Sequence, residues 1–334
     1  MKRVLVLYNL AERLEKGVPS DLVCEQEITI IVPLVAELLN KKGYRVETLK
    51  ADLDLWEVLK KRRGDFDIVF NLAEGFGGAN SNEVFVPALL EALRIPFTGA
   101  SLHNFVITHD KAKANIVLSA HGVPTPRHSV FYPGQEIISK GLHFPLIVKP
   151  VYEGASIGIT YNSVVSGHND LVNRVCNVFH VYRQPALVEE FIEGREISVG
   201  CLGNRTNIHL FPPLEFVFAD SVPVLRRIRS YEYKWDGGKE AMARVDLPKD
   251  LIDRFLEYTR TAFLVTDCQD YARMDYRLSK TGQIFLLEVN CNPGIGPNSH
   301  GLNNTLTMMA NYDGYSFEDF IEKILITAQE RYAF

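Results

Sequence analysis

The chain has 334 residues, with 36 Lys+Arg against 41 Asp+Glu for a formal net charge of −5. At about 100–200 residues per domain this is two or three domains, and 46% hydrophobic with 23% charged residues is the composition of a globular protein with an adequate core. The acidic balance excludes a general nucleic-acid binder, since no basic run exceeds Lys60–Lys61–Arg62–Arg63, but it leaves open a basic pocket for a small anion.

Residues 4–8 form a short apolar run of the kind a buried parallel strand shows. Asn9, Glu12 and Arg13 end it too early for a signal peptide. Apolar residues at helical spacing predict a helix over 25–42, stopped by Gly43. A strand over 44–49, a helix over 54–63, a strand over 67–72, a helix over 82–93 and a short strand over 95–98 follow. This alternation predicts a doubly wound parallel sheet, in which ligands sit beyond the carboxyl ends of the strands. Those ends are Asn9–Leu10 and the segment 73–78, which is glycine-rich but lacks the GxGxxG dinucleotide pattern. A helix over 110–121 comes next, then strands over 129–132, 146–150 and 159–162, a helix over 171–181 and a strand over 186–191. Residues 196–218 read mostly as strand. Residues 221–244 are irregular, and so long a segment inside a compact protein is usually functional. The chain closes with a helix over 249–264, a hairpin of 270–278 and 283–290 around Ser279–Gly282, and a helix over 317–332. No run approaches the roughly 18 apolar residues of a membrane span.

The hairpin concentrates the chemistry. Arg273 and Asp275 share one face of their strand, Glu288 and Asn290 share one face of the partner, and folding brings the two carboxylates together. Carboxylates this close repel unless a cation lies between them, and oxygen-only ligands suit a hard ion such as Mg²⁺. An exposed sheet face with a few salt bridges is the plainer alternative. The turn Asn292–Pro293–Gly294–Ile295–Gly296–Pro297–Asn298–Ser299 offers backbone N–H groups to an anion. In Glu153–Gly154–Ala155–Ser156–Ile157–Gly158, small residues let a loop close over phosphates beside Lys149, although it is no P-loop. In Glu189–Glu190–Phe191–Ile192–Glu193–Gly194–Arg195–Glu196, apolar residues suit a purine and a carboxylate suits ribose hydroxyls. The five cysteines are odd in number and contain no CxxC pair, and the nine histidines contain no HExxH. That pattern fits reduced thiols in a cytoplasmic protein and argues against zinc.

Taken in order, Val148–Lys149–Pro150, the 153–158 loop, Val188 through Glu196, Arg273–Met274–Asp275 and Leu287–Glu288–Val289–Asn290–Cys291–Asn292–Pro293–Gly294 resemble the ATP-grasp ligases. Within them the chain is most similar to the D-alanine–D-alanine ligase family. Ile95–Pro96–Phe97–Thr98–Gly99, His109–Asp110–Lys111 and Tyr231 with Lys234 support the match. The resemblance implies a doubly wound α/β domain over residues 1–103 and two α+β domains, 104–189 and 190–334, clasping ATP. It implies a ligase that activates a carboxylate as an acyl phosphate, joins it to an amine, and releases ADP and phosphate.

By the same resemblance, Lys111 and Lys149 contact the phosphates, and the loop carrying Glu153, Gly154 and Ser156 lies over them. Glu189 and Ile192 meet adenine, Phe191 and Leu287 line its slot, and Glu196 takes the ribose. Asp275, Glu288 and Asn290 hold two Mg²⁺, with Mn²⁺ as a substitute. Lys234 approaches the γ-phosphate, and Arg273 with the Gly294 N–H forms the oxyanion site. Glu25, Trp235 and Ser299 fall at substrate-binding positions, with Glu27 close to Glu25. The partners implied are small amino-acid-like molecules, and a homodimer is left open.

The chain departs from the family at the amino-acid positions. Ala155 and Trp235 stand where the family has hydroxyl side chains, Ala73–Glu74–Gly75 occupies the place of an expected histidine, and His300 replaces a leucine. Residues 10–22 form a long loop before Glu25. These departures point to retained chemistry on an altered substrate. The alternatives are a housekeeping D-alanine–D-alanine ligase, a phosphotransferase that stops at a phosphorylated product, and a nucleotide-binding regulator.

Overall fold

The computed structural model describes residues 2–25, 27–235, 241–297 and 305–332, with the backbone alone for 23–25 and 235. Strands β1 (Arg3–Tyr8), β2 (Arg45–Lys50) and β3 (Ile68–Asn71) form a parallel sheet in the order β2-β1-β3. Alternation along β1 splits its side chains between two cores. Val4 and Val6 pack with α1 (Ile28–Lys41), while Leu5 and Leu7 pack with α2 (Leu55–Arg62) and α3 (Phe85–Ala92). Helices on both faces make this the expected doubly wound sheet, and they explain why β1 is apolar along its length.

Helices α4 (Leu102–Thr108) and α5 (Lys111–Ala120) lead to a second sheet. It contains β4 (His128–Phe131), β5 (Leu146–Pro150), β6 (Val164–Val165) and β7 (Ala186–Glu190), antiparallel in the order β4-β7-β5-β6. Leu146 and Val148 of β5 pack on α6 (His168–Asn177), which turns Ile147 and Lys149 to the opposite face.

The third sheet has β8 (Gly194–Asn204), β9 (Asn207–Leu210), β10 (Leu214–Val217), β11 (Ala241–Arg244), β12 (Asp270–Ser279) and β13 (Ile284–Asn290). Its order is β11-β10-β8-β12-β13, with β9 on β8. Ala272, Met274, Tyr276 and Leu278 of β12 share a core with α4, α5 and α8 (Lys249–Val265). The odd-numbered Arg273, Asp275 and Arg277 therefore face the other way, towards the second sheet. Helices α9 (Thr305–Tyr312) and α10 (Phe317–Arg331) complete a core shared by the first and third sheets, where Phe320 packs edge-on against Phe211.

Several local expectations change. Residues 19–25 form a 3-10 turn, so α1 starts at Ile28 rather than at residue 25. Residues 95–98 contribute a single bridge, Val69 to Phe97, because Pro96 has no N–H to extend a ladder. Residues 161–163 form a 3-10 turn closed by a Thr160–Ser163 capping box, where a strand was expected. The 221–244 segment contains α7 (Tyr231–Trp235) and β11. Helices α4 and α9 have no counterpart in the sequence reading.

Asp270 ties the parts together. Wholly buried, it accepts the Gly99 N–H at 2.8 Å, Arg331 at 2.9 Å and the Asn204 amide at 3.2 Å, while Arg331 also donates to the Phe97 carbonyl at 2.7 Å. Asp270→Asn preserves shape but leaves Arg331 without its counter-charge. Breaking a buried pair from one side is expected to cost about 3 kcal/mol, read as a lower urea midpoint with an unchanged m-value.

Candidate active site

A cleft opens between the second and third sheets. The third sheet supplies its floor through strand register. Asp275 pairs with Glu288 and Arg273 with Asn290 across β12 and β13, while Asp275 lies opposite Ser198 and Arg277 opposite Glu196 on β8. A bulge between Asp275 and Tyr276 inserts one extra residue in β13, so Leu287 lines the cleft together with its neighbour Glu288. Strict alternation would have turned one of them away.

Charges in the cleft are matched in pairs. Arg273 binds Asp275 at 2.9 Å, Lys111 binds Glu288 at 2.9 Å, Lys149 binds Glu189 at 2.6 Å and Arg277 binds Glu196 at 2.8 Å. Asp275 also accepts from Ser198 and from the Asn290 amide at 2.9 Å. Burial opposes its ionisation, but Arg273, Arg229 and the Ser198 hydroxyl outweigh burial and hold its pKa at about 2. Asp275 is thus a carboxylate at any physiological pH. Two carboxylates and an amide on facing strands fit a hard divalent ion whose coordination phosphate oxygens and water complete.

Lys111 is the first residue of α5, whose N-cap Asp110 accepts the Lys113 N–H at 3.0 Å. Its ammonium donates to the Glu153 carbonyl as well as to Glu288. The 154–158 loop passes over this point with Ala155 at φ 49° and Ser156 at φ 64°, a left-handed backbone that non-glycine residues seldom adopt. Ser156 donates to the Arg229 carbonyl at 2.7 Å, and the Tyr231 N–H donates to Ile159 at 2.7 Å. The loop and the segment bearing Lys234 are thereby held together.

The long loop between β1 and α1 reaches the same place. Lys16 pairs with the Glu153 carboxylate at 2.5 Å, which also accepts from Gln184 at 2.6 Å, and Tyr231 donates to the Ser20 carbonyl at 2.8 Å.

Of the residues singled out in the sequence, the cleft brings together Lys111, Lys149, Glu153, Gly154, Ser156, Glu189, Phe191, Ile192, Glu196, Lys234, Arg273, Asp275, Leu287, Glu288 and Asn290. Glu189 is almost wholly buried, with its carboxylate held by Lys149 and by the Asn115 amide at 2.9 Å. Gly294 follows β13 and is not among the lining residues. Ser299 and the side chains of Glu25 and Trp235 lie outside the described residues.

The sequence reading missed Arg229, Arg277 and Lys16. Arg277 had a signal, being two and four residues from Asp275 and Arg273 on the same strand face. Lys16 reaches Glu153 from a distant loop and Arg229 reaches Asp275 from the irregular 221–244 segment, and neither had one. Cys176, Cys201, Cys268 and Cys291 are free thiols. Burial pushes Cys201 and Cys291 well up and Cys268 to about 11, so these three are protonated and make poor nucleophiles.

The family model for the D-Ala–D-Ala ligase C-terminus matches residues 120–326. The D-alanine–D-alanine ligase of Carboxydothermus hydrogenoformans is 31% identical over 302 residues, covering 87% of this chain and 90% of the relative. The chain belongs to the D-alanine–D-alanine ligase family. It is an ATP-grasp enzyme, an ATP-dependent ligase forming C–N bonds. An uncharacterized protein of Sinorhizobium fredii is 35% identical over 266 residues, covering 79% of this chain and 75% of that protein. The crystal structure of D-alanine–D-alanine ligase from Bacillus anthracis superposes with a TM-score of 0.77 at 22% identity, over 99% of this chain and 98% of that one. No helix among the described residues is long and apolar enough to cross a membrane.

Glu74 follows β3, and its side chain is exposed. Displacement of water by the neighbouring protein and the like charges of Glu83 and Glu27 push its pKa up to about 7, against the opposing pull of Lys234. A carboxyl raised in the folded state loses stability as pH rises from its unfolded value near 4.5 to about 7. The thermal midpoint of Glu74→Gln should therefore gain on wild type between pH 5 and pH 8. A pH-independent difference would remove the assigned shift.

Proposed function

We propose that this ligase joins two amino acids, or an amino acid and a related small acid, in a pairing other than two D-alanines. One observation carries the catalytic part: a single cleft collects Lys111, Lys149, Lys234 and Arg273 with Asp275, Glu288 and Asn290. A carboxylate is a poor electrophile, so amide formation in water needs activation. The substrate carboxylate oxygen attacks the γ-phosphorus and ADP leaves, giving an acyl phosphate. The second substrate's amine then attacks the acyl carbon, loses a proton and expels phosphate.

Positioning and charge neutralisation dominate such phosphoryl transfer. Lys111 and Lys149 take phosphate oxygens, and Lys234 approaches the γ-phosphate from its segment. Glu153, Gly154 and Ser156 keep the loop over the phosphates. Phe191, Ile192 and Leu287 enclose adenine beside Glu189, and Glu196 takes the ribose. Arg273 and the Gly294 N–H meet the oxyanion of the tetrahedral intermediate. Asp275, Glu288 and Asn290 hold Mg²⁺, two ions by family resemblance, or Mn²⁺. The bound ions supply charge neutralisation on the transferring phosphate. Glu25, Trp235 and Ser299 are the proposed substrate contacts, and Ala155, Trp235 and Glu74 are the positions that alter specificity.

Domain limits near residues 103 and 189 belong to the same proposal. In their support, β1 to β3 precede the first limit, β4 to β7 end at Glu190 and the remaining strands follow. A cytoplasmic location is proposed from the free thiols.

Glu288→Gln is expected to lower kcat by at least about a hundredfold, several kcal/mol of transition-state charge stabilisation being at stake. Folding should be little changed by circular dichroism. A matrix of D- and L-amino acids with ATP, read by phosphate release and product mass spectrometry, identifies the pair. ADP without free phosphate would overturn the ligase chemistry. Ala155→Ser combined with Trp235→Tyr should shift preference towards D-alanine, and an unchanged profile would remove these residues from specificity.

A further inference from the structure

Arg277 lies deeper in the cleft than the catalytic arginine, on the same face of β12 and directly opposite Glu196 on β8. It is 3% exposed. Its guanidinium pairs with Glu196 at 2.8 Å and donates to the Gly194 carbonyl at 3.0 Å and to the Arg227 carbonyl. The same group lies 5.7 Å from the centre of the Phe191 ring. One planar fork thus touches the carboxylate assigned to ribose, the ring assigned to the adenine slot, and the backbone of the segment that continues to Lys234.

We infer that Arg277 is a positioning residue for the nucleotide, holding the Glu196 carboxylate in the orientation that accepts the ribose hydroxyls. A glutamate side chain has several rotatable bonds, and fixing it before the nucleotide arrives removes an ordering cost from binding. Arginine suits the task because its donors form a rigid fork matched to a carboxylate, whereas lysine offers a single flexible point charge. Stability alone is a weak reason for the pair, since apolar replacement of a buried ion pair is often neutral or stabilising.

The inference rests on the reading of Glu196 as the ribose ligand, and the experiment separates the two. It compares kcat/KM for ATP, 2′-deoxyATP and 3′-deoxyATP in wild type, Glu196→Gln, Arg277→Lys and Arg277→Met. Wild type should prefer ATP over at least one deoxynucleotide by about tenfold, the factor a charge-assisted hydrogen bond carries. Glu196→Gln should remove most of that preference. Arg277→Lys should cut it by about threefold or more and raise the KM for ATP more than it lowers kcat. Arg277→Met fills the buried space but leaves the Glu196 carboxylate unpaired, so it should act in the same way with a larger loss of stability, and the lysine variant, which keeps the charge, keeps the test open if the methionine variant does not fold. A lost preference in Glu196→Gln with full preference in the Arg277 variants would overturn the positioning role and leave the ribose reading standing. Full preference in Glu196→Gln would overturn both. Equal losses with ATP and the deoxynucleotides in the Arg277 variants would assign Arg277 to folding alone and overturn the inference.

Discussion

The cleft depends on keeping Asp275 charged while burying it. A carboxylate out of water is expensive, and at 7% exposure this one is stable only because Arg273 grips it from the same strand and Ser198 and Asn290 donate from the strands on either side. That requirement sets the register of three neighbouring strands at once. With Asp275 opposite both Glu288 and Ser198, the alternation of β12 sends Ala272, Met274, Tyr276 and Leu278 into the core and leaves Arg273, Asp275 and Arg277 as a charged row above it.

The same logic extends across the cleft. Three further acids in it are each held by a cation: Glu288 by Lys111, Glu189 by Lys149 and Glu196 by Arg277. A nucleotide with its divalent ions brings charges of both signs. Phosphates can take over the lysines while metal takes over the carboxylates, so the exchange exposes few uncompensated buried charges. An array of matched pairs is a suitable resting state for a site that must accept highly charged reactants and release them.

Pieces distant in sequence meet at the loop over the cleft. Ser156 binds the Arg229 carbonyl, Glu153 binds Lys16 and Tyr231 binds Ser20, so the first sheet's long loop, the glycine loop and the segment of Lys234 share one junction. Ala155 and Trp235, two of the positions proposed to alter specificity, belong to these loops. The nucleotide side is built from strands, whose hydrogen-bonded register tolerates little change. The proposed retention of chemistry with altered specificity draws support from these loops, which are freer to change than the strands.

The sequence by itself determined the parts that depend on local spacing. A four-residue turn and period-two alternation brought Asp275 to Glu288, and helical spacing with a capped start placed Lys111 at the head of α5. The apolar run of β1 announced a sheet covered on both faces. Local spacing carries no record of which distant element arrives, and the remainder was decided there. The bulge that turns Leu287 into the cleft is a register shift between strands. Lys16 gained its role from a loop more than a hundred residues before Glu153. Helix α4 became part of the core beneath the third sheet although it follows the first. Arg277 was visible as the third member of a charged row, but its function could be assigned only once β8 had set Glu196 against it. Burial gives that pairing its meaning, since a guanidinium and a carboxylate shut away from water must find each other.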